Sequence, residues 1–198
     1  ATAGADYAPG AGTLTFAPGE TSETASVTVA GDLLDEPDET VLVQLSDPVG
    51  ATVADGEATG TILDDDPMPN LSAAASVEVC EGQPAAVWVR LDAASGFDVS
   101  VDYQTADGSA TAGADYTAAS GTATVAAGER EERIAVATLA DDLTEASETF
   151  TVALANPSNA VLLTPAVEVT ICDANGFRCI FADGFESGTT SAWSGTTP

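Results

Sequence analysis

The chain has 198 residues, with 32 Asp and Glu against 4 Lys and Arg and no His. A net charge of −28 repels nucleic acid and anionic membrane surfaces. The absence of His excludes a Ser-His-Asp triad and a His-based zinc site.

Hydrophobic residues make up 44% of the chain and mean hydropathy is +0.13, enough for a packed core. Valine-rich alternating segments argue against the disorder that high acidity alone would imply. No apolar run reaches the ~18 residues that a membrane-spanning helix requires.

The chain begins inside a pattern, "ATAGADY", as expected of a fragment or a processed piece. The first strand signals follow at "TLTFA" (13–17), "SVTVA" (26–30), "TVLVQL" (40–45) and "TGTIL" (59–63). Each places alternate residues on an apolar face, with Gly, Pro, Asp and Ser clusters between. Then comes "DDDP": Asp64, Asp65 and Asp66, closed by Pro67. Residues 67–70, "PMPN", contain two prolines and are expected to form a stiff linker.

Beyond it, "SVEV" (76–79), "AVWVRL" (86–91), "VSVDY" (99–103), "TFTVAL" (149–154) and "VEVTI" (167–171) again alternate. No helical period of useful length occurs. Trp88, Phe16, Val125 and Phe150 are expected in the core.

"ATAGADY" recurs at 110–116. A shift of 109 residues aligns 1–66 with 110–175 without a gap, and 27 of the 66 positions are identical. That period is too long for a solenoid unit. It suits tandem β-sandwiches of about 100 residues each. The expected fold is therefore all-β: tandem immunoglobulin-like sandwiches, the first truncated at its N-terminus. The expected organisation is a partial domain at 1–66, a linker at 67–70, a second domain at 71–175 and a tail at 176–198.

The acids gather at strand ends. Copy one has Asp6 in "GADY", Asp32, Asp35, Glu36, Asp38 and Glu39 in "DLLDEPDE", and Asp64 to Asp66. Copy two has Asp115, then Asp141, Asp142, Glu145 and Glu148 in "DDLTEASE", then Asp173, and adds Glu81 from an opening strand that copy one lacks. A strand end, a hairpin loop and a final strand can meet at one pole of a sandwich. Calcium takes about six to eight oxygens, which such a pole supplies, whereas magnesium keeps its waters. The plainer alternative is a set of solvated acidic turns, and it accounts for Glu20, Glu23, Glu131 and Glu132. It accounts poorly for the spacing of Asp32, Glu36 and Glu39 recurring in Asp141, Glu145 and Glu148.

At these residues the chain resembles the Calx-beta family, known from regulatory calcium-binding domains of sodium–calcium exchangers and from large bacterial surface proteins. The pattern is "G-x-DY", then "F-x-PGE" (16–20), then "D-x-x-x-E-x-x-E" leading into an alternating strand that ends in "L-S-x-P" (45–48), then "ILDDD". The resemblance implies calcium ligands at Asp6, Asp32, Glu36, Glu39, Asp64, Asp65 and Asp66 in copy one, with a backbone oxygen near Leu34. In copy two it implies Glu81, Asp115, Asp141, Glu145, Glu148 and Asp173. The chain departs from the family at Gly31 and Ala140, where the best-binding relatives carry an acid. It departs again at Ala174 and Asn175, which replace the last two aspartates. Copy two is therefore expected to hold fewer ions, more weakly, and copy one to need its missing part for closure.

Three cysteines imply one disulfide and one odd thiol in an exported chain. Two pairings stand open: Cys80–Cys172, tying first and last strands, and Cys172–Cys179, closing a small loop. The tail, "CIFADGFESGTTSAWSGTTP", reads as a Gly/Ser/Thr-rich irregular end, although "DGFESG" also resembles short C-terminal signatures of exported bacterial proteins.

The leading expectation is a calcium-binding structural module of a secreted or cell-surface bacterial protein, the ion stiffening the junction between domains. The alternatives are a calcium-dependent adhesion module for an extracellular protein or glycan, and a non-catalytic part of a larger secreted enzyme. A glycosidase is disfavoured, because the paired acids lie in repeated turns without an aromatic sugar platform.

Overall fold

The computed structural model describes residues 1–173. Among them every regular element is a strand, and no helix is long and apolar enough to cross a membrane. Copy two is a complete two-sheet sandwich. Its strands are β3 (Asn70–Ala73), β4 (Ser76–Cys80), β5 (Ala85–Leu91), β6 (Val99–Asp107), β7 (Ser120–Val125), β8 (Glu131–Val136), β9 (Glu148–Ser158), β10 (Val161–Leu162) and β11 (Ala166–Cys172). One sheet has the order β10-β3-β5-β8 and the other β4-β11-β9-β6-β7. The chain changes sheets between β3 and β4, so its opening segment contributes a strand to each layer.

Strict alternation builds the core. Val87 and Val89 of β5, Val99 and Val101 of β6, Phe150 and Val152 of β9, and Val167 and Val169 of β11 all face inward and are buried. Each such side chain contributes about 1.5–3 kcal/mol. Tyr116 stacks on Phe150, with ring centroids 4.1 Å apart and planes within 9°.

The same alternation corrects one expectation. With Val87, Val89 and Leu91 inward, Trp88 points outward and is 40% exposed. Its size favoured the core, but its phase in the strand decides.

In copy one the paired strands are β1 (Glu39–Gln44) and β2 (Glu57–Ile62), a hairpin in antiparallel register. They match β9 and β11 of copy two under the 109-residue shift. The strands expected at 13–17 and 26–30 do not form, apart from one isolated bridge between Tyr7 and Val29. Their equivalents in copy two, β7 and β8, pair with β6 and β5. Copy one contains no counterpart of β5 or β6, so these segments lack ladder partners. For the same reason Phe16, expected in the core, is 55% exposed, while Val125 at the matching position is buried.

β4 and β11 run parallel, with Cys80 opposite Cys172. Cys80 is disulfide-bonded, but Cys172, which is buried, is not its partner. The expected Cys80–Cys172 bond is thus corrected: adjacency in a ladder does not supply the Cβ geometry that a disulfide demands. The alternative pairing to Cys179, and the reading of the tail, fall outside the described residues.

Candidate metal centres

Each acidic pole is assembled from three parts of its copy. The first is the "TAGADY" turn. Gly113 adopts φ 90°, which lets its N–H donate to the Tyr116 carbonyl at 2.8 Å. The Thr111 N–H donates to Asp115 Oδ2 at 2.7 Å. Copy one repeats this turn, with Gly4 at φ 90° and Thr2 N–H donating to Asp6 Oδ2. Asp107 braces the turn in copy two, accepting from Tyr116 Oη at 2.6 Å and Ala112 N–H at 2.9 Å. These bonds hold the Asp107 carboxyl below the usual carboxylate range, and the Tyr116 hydroxyl is pushed up to about 12, first by burial and then by Asp107.

The second part is the acidic loop before the hairpin. Asp32 Oδ1 accepts from Leu34 N–H at 2.8 Å, and Asp141 Oδ1 accepts from Leu143 N–H at 2.6 Å. This short-range Asx bond curls the loop so that the next acids face the turn. Glu39 and Glu148 follow as the first residues of β1 and β9.

The third part is the end of the last strand. In copy two, Asp173 Oδ2 accepts from Glu145 N–H at 3.1 Å, and Glu81 Oε1 accepts from Asp141 N–H at 3.0 Å. In copy one, Asp64 N–H donates to Asp38 Oδ1 at 3.0 Å.

The convergence is explicit. Asp6, Glu36 and Glu39 each present an oxygen within 4.8 Å of the others, and so do Asp115, Glu145 and Glu148. One cleft is lined by all seven acids proposed for copy one: Asp6, Asp32, Glu36, Glu39, Asp64, Asp65 and Asp66, with Leu34 beside them. The other is lined by Glu81, Asp115, Glu145, Glu148 and Asp173. Asp141 does not line it, but lies close enough to act on the charge of Glu145.

Electrostatics report the same crowding. Burial and then the charges of Asp32, Asp6, Glu39 and Asp64 raise the Glu36 carboxyl above its usual range. Asp66 is raised by burial, then by Asp65 and Asp64. Glu145 is raised by burial, then by Asp141, Asp115, Glu81 and Asp173. Glu148 is raised by burial, then by Asp115. Without a counter-charge these groups repel one another. The geometry suits a divalent cation: two oxygens facing each other across a calcium ion lie about 4.6–5.2 Å apart, twice the usual calcium–oxygen distance.

Asp35 has a place the sequence did not reveal. It lies between the acids of the first pole, is buried, and bridges to Ser95 in the β5–β6 loop of copy two. The Gly96 N–H donates to the Asp35 carbonyl at 2.9 Å, and the Ser95 hydroxyl to the same oxygen at 3.4 Å. A Cβ on Gly96 would sit 2.8 Å from Glu36 Cγ. The acidic loop of copy one is therefore docked on copy two. A sequence separation of 60 hides this contact from any local pattern.

Fold and poles define a tandem all-β chain with a candidate divalent-cation centre in each repeat. The Calx-beta domain model matches residues 1–66 and 72–175, and the chain belongs to that family. No curated protein matches it. Among solved structures, it is similar to the apo-form Calx CBD1 domain, with 29% identity over 54% of this chain and 97% of that one, at a TM-score of 0.47. It is similar to the calcium binding domain CBD12 of CALX1.1, with 28% identity over 52% of this chain and 44% of that one, at 0.49. The Calx CBD2 domain shares the fold at 17% identity and a TM-score of 0.51, over 56% of this chain and 90% of that one.

Proposed function

We propose that both poles bind calcium, and that the ion in the first pole stiffens the junction between the repeats. The supporting observation is the triple convergence within 4.8 Å, built twice from the same positions. Family membership and the calcium binding named for CBD12 of CALX1.1 point the same way. Asp6, Glu36 and Glu39 are the central ligands of the first centre, with Asp32, Asp64, Asp65 and Asp66 completing it. Asp115, Glu145 and Glu148 are central in the second, with Glu81 and Asp173 beside them and Asp141 acting from the loop. Seven acids against five in the clefts give the first pole more ions and tighter binding.

The junction follows from Asp35. An ion that fixes Asp32 and Glu36 also fixes the residue between them, and that residue holds Ser95 and Gly96 of the next repeat. The module is a spacer whose stiffness depends on calcium, working outside the cell. The net charge of −28 favours media rich in divalent cations, and the bonded Cys80 an oxidising compartment. Its acids are read as ligands rather than as catalytic groups. Calorimetric titration of chelated protein with calcium, paired with melts in calcium and in chelator, tests the proposal. A melting curve unchanged by millimolar calcium would refute it.

A further inference from the structure

The outer face of the four-stranded sheet carries a feature that the duplication does not explain. Residues 1–66 contain no Lys or Arg, whereas three of the chain's four cations are Arg90 of β5, Arg133 of β8 and Arg130 just ahead of β8. Under the 109-residue shift, Arg130 and Arg133 fall on Thr21 and Thr24.

Two of these cations are engaged within the fold. Arg90 Nε pairs with Glu131 Oε2 at 2.9 Å, and Arg130 Nη2 donates to the Asp92 carbonyl. Arg133 makes no ion pair among the described residues, although acids outnumber cations 32 to 4.

The neighbour of Arg133 is the exposed indole. Arg133 lies directly opposite Trp88 in the β5–β8 ladder. The buried Val87, Val89, Ile134 and Val136 put both side chains on the solvent side. Directly opposed residues hold their Cβ atoms about 4.5–5.5 Å apart. Among the described residues no cation stacks on the Trp88 ring, so ring and guanidinium stand side by side. The next outward pair along the ladder is Ala86 and Ala135, whose short side chains leave that flank open.

The main chain narrows the partner's chemistry. β5 is an inner strand, hydrogen-bonded to β3 on one side and to β8 on the other. A peptide laid here would find no free ladder, and side chains alone are on offer. A nucleic acid would meet a net charge of −28 with too few cations to hold its phosphates. Indole and guanidinium together suit a ligand with an apolar ring face and an isolated carboxylate. Repulsion from the other acids is screened beyond about 8 Å at physiological ionic strength.

We propose that Trp88 and Arg133 form a binding site for an acidic sugar, a pyranose carrying a carboxylate within a polysaccharide chain. The indole stacks on the C–H face of the sugar ring, and the Arg133 fork takes the carboxylate. Neither residue lines an acidic cleft, so the site works without calcium. One such site binds weakly and gains by repetition along a polymer.

The test titrates an oligogalacturonate into the full chain in calcium-free buffer, with Trp193→Phe leaving Trp88 as the single indole. A saturable change in Trp88 emission at millimolar ligand is expected. Arg133→Gln weakens that binding by about tenfold, and a neutral oligosaccharide of equal length binds about tenfold more weakly than the uronate. Trp88→Ala, followed by calorimetry, abolishes binding. Both side chains point into solvent, so the melting temperature should hold; if Trp88→Ala lowers it, Arg133→Gln decides. No saturable change, or affinity untouched by Arg133→Gln, would overturn the proposal. Equal affinity for the neutral sugar would overturn the carboxylate's role and the proposal with it. Polyglutamate bound as tightly as the uronate would assign the face to an acidic peptide instead and overturn the sugar.

Discussion

The Asp35 carbonyl accepts a hydrogen bond from the Gly96 N–H at 2.9 Å, joining the acidic loop of one repeat to the β5–β6 loop of the next. Asp35 itself is buried, wedged between two residues of the first acidic pole. The proposed stiffening of the junction by a cation at that pole runs through this contact.

Gly96→Val tests the link. Its Cβ would meet Glu36 Cγ at 2.8 Å and the Asp35 carbonyl at 3.3 Å, so the loop must shift. Calcium affinity at the first pole should fall about fivefold, about 1 kcal/mol, with the second pole unaffected. Titration calorimetry resolves the two classes of site. Equal weakening of both poles would show a general folding defect rather than coupling.

Glu36→Gln should have opposite effects in two buffers. In chelator it removes one charge from a repelling cluster, so the melting temperature rises slightly. In millimolar calcium it removes a ligand, so calcium-dependent stabilisation shrinks by a factor set by the lost affinity. Glu145→Gln should do the same in the second pole. A melting temperature lowered in both buffers would contradict the repulsive role.

Protonation follows the same sign. The folded-state pKa values of Glu36, Glu145 and Glu148 lie above the usual 4.5, so the folded apo chain binds more protons than the unfolded one in that window. Apo stability should then fall as pH rises from 4.5 through the folded values. Calcium binds the deprotonated groups, so calcium-dependent stabilisation should grow over the same interval. Denaturant melts at stepped pH, with and without chelator, measure both trends.

Phe150→Ala removes the ring stacked at 4.1 Å on Tyr116 and should destabilise copy two by about 3–5 kcal/mol. Tyr116 follows Asp115 in the turn, so near-ultraviolet circular dichroism should lose its aromatic signal along with the stability. Val41→Ala, at the matching position of copy one, should cost less, because few strands cover that side.

The repeat was legible because identical residues carry the turns: Gly4 and Gly113, Asp6 and Asp115, Tyr7 and Tyr116. The acidic loops were legible because Asp32, Glu36 and Glu39 recur at one spacing, and the structure brings Glu36 and Glu39 together with Asp6, and Glu145 and Glu148 together with Asp115, although Asp141 stays outside the second cleft. The exposure of Trp88 was written in the alternation around it, but side-chain bulk argued louder than phase. Phe16 could not be placed, since its burial depends on strands that copy one does not contain. The Asp35 bridge to Ser95 had no local signal, and neither did the sulfur chemistry of β4 and β11, where neighbours in a ladder are not bonded.

The central claim is best tested by one calorimetric titration of the fully chelated chain with calcium. The account predicts saturable binding with a tighter class of sites, abolished by Glu36→Gln combined with Glu39→Gln, and a weaker class, abolished by Glu145→Gln combined with Glu148→Gln. Absence of saturable heat up to millimolar calcium, or binding that survives all four substitutions, would contradict it.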